Sequence, residues 1–136
     1  MRLDCREPER IADVGVQQLL SDGASAWVTA SGRAGHNRAM VWVQWNSDVD
    51  SGVVVSVWAG TRSPFTPGQV AFGQVAKANI VDATMFPNGE ANTKALAIPV
   101  TIAPGADLAV GLTSISYHTA SASLFRIWWQ SWIEAE

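Results

Sequence analysis

Two stretches decide the fold: Met40-Val41-Trp42-Val43-Gln44-Trp45 and Leu124-Phe125-Arg126-Ile127-Trp128-Trp129-Gln130-Ser131-Trp132-Ile133. Aromatic and β-branched side chains at period two suit a pleated strand, where successive residues point to opposite faces. In the first stretch Met40, Trp42 and Gln44 share one face, and Val41, Val43 and Trp45 share the other. In the second, Phe125, Ile127, Trp129 and Ile133 oppose Leu124, Arg126, Trp128, Gln130 and Trp132. Both faces of both strands are partly apolar, whereas a sandwich sheet washed by water shows one polar face.

The chain has seven tryptophans, and they admit three uses. A bulky core accounts for some of them. A second apolar face is better explained by contact with another subunit, because Trp and Arg are enriched in interface cores. On that reading Trp42, Trp45, Trp58, Trp128, Trp129 and Trp132, with Arg126, are the candidate interface residues. The third use is a sugar-stacking platform of exposed rings. Such platforms usually add acidic and amide side chains, and here the neighbours are mostly Val, Ile and Ser.

Outward from these strands the pattern continues. Ser25–Ala30 reads as a short strand. Val53, Val55 and Val57 share a face in Val53–Ala59, which reads as the hairpin partner of Ala39–Trp45 across a polar tip, Asn46–Gly52. The segment Gly60–Gly68, with Pro64 and Pro67, reads as loop. Val70, Phe72, Val75, Ile80 and Val81 suggest one or two short strands, followed by a turn at Phe86-Pro87-Asn88-Gly89. Leu96, Ile98, Val100 and Ile102 alternate, with Pro99 on the opposite face, as in an edge or bulged strand. Pro104-Gly105-Ala106-Asp107 turns into Leu108, Val110 and Leu112. Val14–Leu20 is open between strand and helix, with strand preferred. The expectation is an all-β chain, a single β-sandwich of jelly-roll type over 14–136.

Residues 1–13 alternate Arg2, Arg6 and Arg10 with Asp4, Glu7, Glu9 and Asp13, and carry few large apolar groups. They read as a mobile N-terminal arm with a docking role. No secretory signal and no run long enough to cross a membrane is present, so a cytosolic protein, or one that leaves as part of a particle, is expected.

The length of 136 residues fits one domain with its own core. Only 15% of residues are charged, against roughly 25% in typical soluble domains, so self-association or docking is favoured. A net charge of −3 with scattered Arg and Lys does not support nucleic-acid binding. The lone Cys5 has no internal disulfide partner and no local base to activate it.

Asn46, Asp48 and Asp50 have calcium-loop spacing. The loop lacks Gly at Ser51 and the bidentate Glu, where Val57 stands, so a polar hairpin tip is the simpler reading. His36 and His118 have no ligand-spaced neighbours and no nucleophile elbow accompanies them. No metal, no cofactor and no catalytic site is expected; a Ser-His-Asp set would have to be assembled by the fold.

The short chain with low charge and an N-terminal arm, Ala39–Ala59, and Ile98-Pro-Val-Thr-Ile-Ala-Pro-Gly-Ala-Asp-Leu-Ala-Val-Gly-Leu112 resembles small all-β virion proteins of tailed bacteriophages, the capsid decoration (cement) or head-fibre type. The resemblance implies a non-enzymatic structural protein of the virion, assembled in the host cytoplasm. Its partners would be itself, as a trimer, and a major capsid or other virion protein. The alternative is a carbohydrate-binding β-sandwich module.

Overall fold

The computed structural model describes residues 1–15, 25–46, 53–62, 70–79, 84–85, 93–114 and 124–135. Its strands are β1 Arg2–Leu3, β2 Glu9–Gly15, β3 Ser25–Ala30, β4 Arg38–Asn46, β5 Val53–Arg62, β6 Val70–Asn79, β7 Thr84–Met85, β8 Thr93–Thr101, β9 Asp107–Ser114 and β10 Leu124–Glu134. They form two antiparallel sheets. One is ordered β1-β10-β4-β8-β7, with β2 also on β10; the other is ordered β3-β9-β5-β6. The β-sandwich expected from the alternation is what these residues form.

The core lies between the sheets and is built from one face of each strand. Val41, Val43 and Trp45 of β4, Leu96, Ile98 and Val100 of β8, and Phe125, Ile127 and Trp129 of β10 meet Val53, Val55 and Val57 of β5 and Leu108, Val110 and Leu112 of β9. The Trp45 and Phe125 rings pack with centroids 6.0 Å apart. Burial of this many branched side chains is the main stabilising term, at about 1.5–3 kcal/mol for each fully buried large one.

The expected hairpin of Ala39–Trp45 with Val53–Ala59 is not formed. β4 pairs with β10 and β8, whereas β5 pairs with β9 and β6 in the other sheet. Their valine faces meet across the core instead of side by side, because each face is apolar enough to need cover by a whole sheet. The same crossing recurs between β8 and β9. There the turn places Gly105 at φ 80, a left-handed conformation that favours glycine, and Ala106 N–H donates to Ala103 O at 3.0 Å. Gly60–Arg62, expected in a loop, continues β5 and pairs with Val70–Phe72. Pro99 sits where sequence placed it: among the described residues β8 has an outer partner only at Lys94 and Ala95, so its further end is an edge.

The N-terminal segment is not a free arm, and the boundary expected at 13/14 falls inside β2. Glu9–Gly15 pairs with Leu124–Trp129, and Arg2–Leu3 with Ile133–Glu134. Composition counts only apolar side chains, and here backbone ladder hydrogen bonds along the otherwise open edge of β10 do the anchoring. Arginine stacking adds to them. The Arg2 guanidinium lies 4.2 Å from the Trp132 ring centroid and Arg10 lies 4.8 Å from that of Trp128.

Candidate functional site

The outer face of the β3-β9-β5-β6 sheet carries the largest exposed rings. In β3 the alternation of Ser-Ala-Trp-Val-Thr-Ala turns Ala26, Val28 and Ala30 toward the core and Trp27 outward. Trp27 pairs with Gly111 of β9, and its six-membered ring covers that glycine so closely that a Cβ there would meet ring carbons at 2.6 Å. The indole can lie against the sheet only because residue 111 has no side chain. Trp27 remains 50% exposed.

Trp58 of β5 stands beside it, centroid to centroid 5.9 Å, with an interplanar angle of 67°. Its Nε1–H donates to Ser56 Oγ at 3.1 Å, which fixes the ring on the same face. The β5–β6 register shifts between Val57 and Trp58, so Trp58 pairs with Gln74 while Ser56 pairs with Lys77. A bulge of this kind re-aims side chains. Phe72 follows on β6, 40% exposed.

Two depressions share the Trp27 and Trp58 rings. One, about 310 Å³, is lined by Trp27, Trp58, Phe72 and Ala109 and is apolar. The other, about 250 Å³, adds Val54, Ser56, Gln74, Lys77 and Thr113. The result is the exposed Trp27 ring with the Trp58 ring set at an angle beside it, and hydroxyl, amide and ammonium groups along one side.

The residues expected at an interface are dispersed. Trp45 and Trp129 are core, at 1% and 4% exposure, and Trp132 is 5% exposed beneath the N-terminal segment. Trp42, Trp128 and Arg126 do share the outer face of the other sheet, where Trp42 pairs with Trp128. Trp128 Nε1–H donates to Gln44 Oε1 at 3.1 Å. Trp58 lies on the opposite side of the molecule. The second apolar face of β10, read from sequence as subunit contact, is therefore covered in part by the chain's own Arg2 and Arg10.

No known family profile matches this chain, and no curated protein matches it. Among solved structures it is similar to the C-terminal CBM6 of the marine laminarinase LamC from Zobellia galactanivorans, at 16% identity and TM-score 0.45, covering 96% of this chain and 92% of that one. A β-1,3-glucan-binding CBM6 from Bacillus halodurans matches at 15% identity and TM-score 0.39, covering 98% and 89%. A glycoside hydrolase family 43 arabinoxylan arabinofuranohydrolase from Bacillus subtilis, in complex with cellotetraose, matches at 12% identity and TM-score 0.41, covering 96% of this chain and 28% of that one.

The fold also assembles an Asp-His-Ser chain that spacing alone does not reveal. His36 Nε2 donates to Asp4 Oδ2 at 2.8 Å, and its Nδ1 shares a hydrogen bond with Ser131 Oγ at 2.7 Å. The hydrogen bond from His36 is the largest influence on the Asp4 carboxyl; it outweighs desolvation, the next largest, and with lesser help from the charges of Arg6 and Arg33 holds the group below the usual carboxylate range. A nucleophile must meet its substrate, and Ser131 is 0% exposed, with Arg33 also donating to its hydroxyl at 3.4 Å. The cluster ties the N-terminal segment to β10 and to the loop before β4; its hydroxyl is enclosed.

Among the described residues no three His, Cys, Asp or Glu side chains converge as metal ligands. His118 and the Asp48–Asp50 loop lie outside the described residues. Trp27 was absent from the sequence-derived candidates. It stands alone in a short strand, and the signal that could have found it, a glycine facing it on β9, depends on the pairing of strands distant in sequence.

Proposed function

We propose that this chain is a non-catalytic carbohydrate-binding β-sandwich that stacks a sugar ring on Trp27. One observation carries the reading: a half-exposed indole laid on a glycine, braced by a second indole and bordered by Ser56, Gln74, Lys77 and Thr113. Sugar rings have an apolar C–H face and a polar hydroxyl edge. A flat aromatic surface flanked by hydrogen-bonding side chains complements both.

The ring is ordered before any ligand arrives, because Gly111 and Trp58 hold it. Little rotamer freedom is then lost on binding. Docking through Trp128 and Trp132, as expected of a virion protein, has less support, since Trp132 is buried and Trp128 is engaged by Gln44 and Arg10.

The test is affinity electrophoresis of the chain in gels containing a panel of soluble polysaccharides, with Trp27→Ala beside it. Retardation by at least one polysaccharide, lost in Trp27→Ala, is expected. No retardation across the panel, together with a Trp27-dependent oligomer in sedimentation, would assign the face to protein contact instead.

A further inference from the structure

We infer that the platform, read as a carbohydrate site, is built for an anionic sugar, one bearing a carboxylate or a sulfate ester, with Lys77 as the residue that selects it. Strand register places Lys77 in the same cross-strand row as Trp27. Trp27 pairs with Gly111, Gly111 with Ser56, and Ser56 with Lys77. Three strand spacings put the two backbones about 14 Å apart on one face. Both side chains line the same depression, so a chain with one sugar on the indole reaches the ammonium with a neighbouring unit.

The polar inventory of that depression is unusual for a neutral glycan. Sugar hydroxyls donate hydrogen bonds as well as accept them, and carboxylates are the strongest acceptors a protein offers for them. Among the described residues no Asp or Glu lines the depression, and the one charged side chain is Lys77. Ser56 Oγ already accepts from Trp58. Asp107, in register at one end of the face, accepts from the Gly32 N–H at 2.6 Å. Among the described residues Lys77 is in no ion pair, and neither are Arg2, Arg38 and Arg126, but it alone of these four lines the depression. A cation with three donors and no carboxylate partner among the described residues is matched by an acceptor that the ligand brings.

The competing account of Lys77 is that a lysine on the edge strand β6 deters edge-to-edge pairing. The two accounts differ in what removing the charge does to ligand choice. The overall charge of −3 disfavours unspecific attraction to a polyanion, so a preference for one has to arise locally.

The experiment measures dissociation constants by titration calorimetry for a neutral polysaccharide, a polyuronate and a sulfated polysaccharide, using the whole chain, Lys77→Gln and Trp27→Ala. Tighter binding of the polyuronate or of the sulfated polymer than of the neutral one, by about tenfold, is expected, and whichever is tighter names the anion. In Lys77→Gln that preference should vanish, the dissociation constants for the anionic and neutral polymers becoming equal. The preference should also weaken as salt is raised. Equal or tighter binding of the neutral polymer, or a preference unchanged in Lys77→Gln, overturns the role of Lys77 and leaves the platform standing. Absence of binding to all three, with Trp27→Ala indistinguishable from the parent, overturns the carbohydrate reading itself and this inference with it.

Discussion

Trp27 lies on the backbone of Gly111, with ring carbons 2.6 Å from where a Cβ would stand. The conformation of the most exposed indole of the described residues therefore depends on a missing side chain six strands further along the chain. Gly111→Ala should lift the ring from the sheet. The obstruction is a side chain at the surface, so the fold should survive with a change in Tm of only a few degrees. Polysaccharide affinity should fall about as far as in Trp27→Ala, by roughly tenfold or more, equivalent to about 1.4 kcal/mol. Calorimetry and tryptophan fluorescence of the two variants check this.

Two tryptophans one alternation apart in role should respond oppositely to truncation. Trp45→Ala removes a buried ring packed on Phe125 and should cost about 3–5 kcal/mol of stability. Trp27→Ala should cost far less stability and remove ligand binding. Urea unfolding with a binding assay separates them.

Gly32→Ala should destabilise the sandwich by about 1–3 kcal/mol, the range for overpacking. A Cβ at 32 collides with the backbone of Gly105 and Ala106, including the Ala106 carbonyl carbon at 2.6 Å, and the contact is with backbone, which cannot swing away. Gly73→Ala is the control. Nothing lies within 4 Å of its added Cβ, and a change within about 0.5 kcal/mol is expected in thermal melts.

Acid should loosen the N-terminal segment. The Asp4 carboxyl is depressed in the folded chain, chiefly by its hydrogen bond with His36. A depressed carboxylate contributes stability that is present above its unfolded pKa and is lost as pH falls through the folded pKa. The loss therefore falls below the ordinary aspartate range. Stability measured from neutral pH downward should decline there, and Asp4→Asn should lower the neutral plateau and flatten the decline.

Deleting residues 2–10 should lower Tm and speed amide exchange along β10. It removes β1, the start of β2, the Asp4 partner of His36 and both arginines stacked on Trp128 and Trp132. Hydrogen exchange of the truncated chain reads the effect directly. An unchanged Tm would return the segment to the free arm that its charge pattern suggests.

Class of fold was legible in the chain because period two is a local property. Val41-x-Val43-x-Trp45 and Val53-x-Val55-x-Val57 each declare a strand with one apolar face, whatever lies around them. The turn at Pro104-Gly105 and the edge character implied by Pro99 were legible for the same reason, since both follow from the backbone limits of single residues. Which strand lies beside which was not local. The same valine faces are satisfied by a hairpin or by a crossing between sheets, and only the packing of the whole core chose the crossing. The site depended on that choice. Trp27, Gly111, Ser56 and Lys77 come from four strands, and only their register puts an indole over a glycine and an ammonium at the far end of the row. Likewise Trp128 and Trp132 read as surface until the N-terminal segment, held by backbone hydrogen bonds that composition does not show, is laid along β10. The alternation within each segment followed from sequence alone, whereas neighbours and exposure are properties of the assembled sheets and were decided only by the tertiary structure.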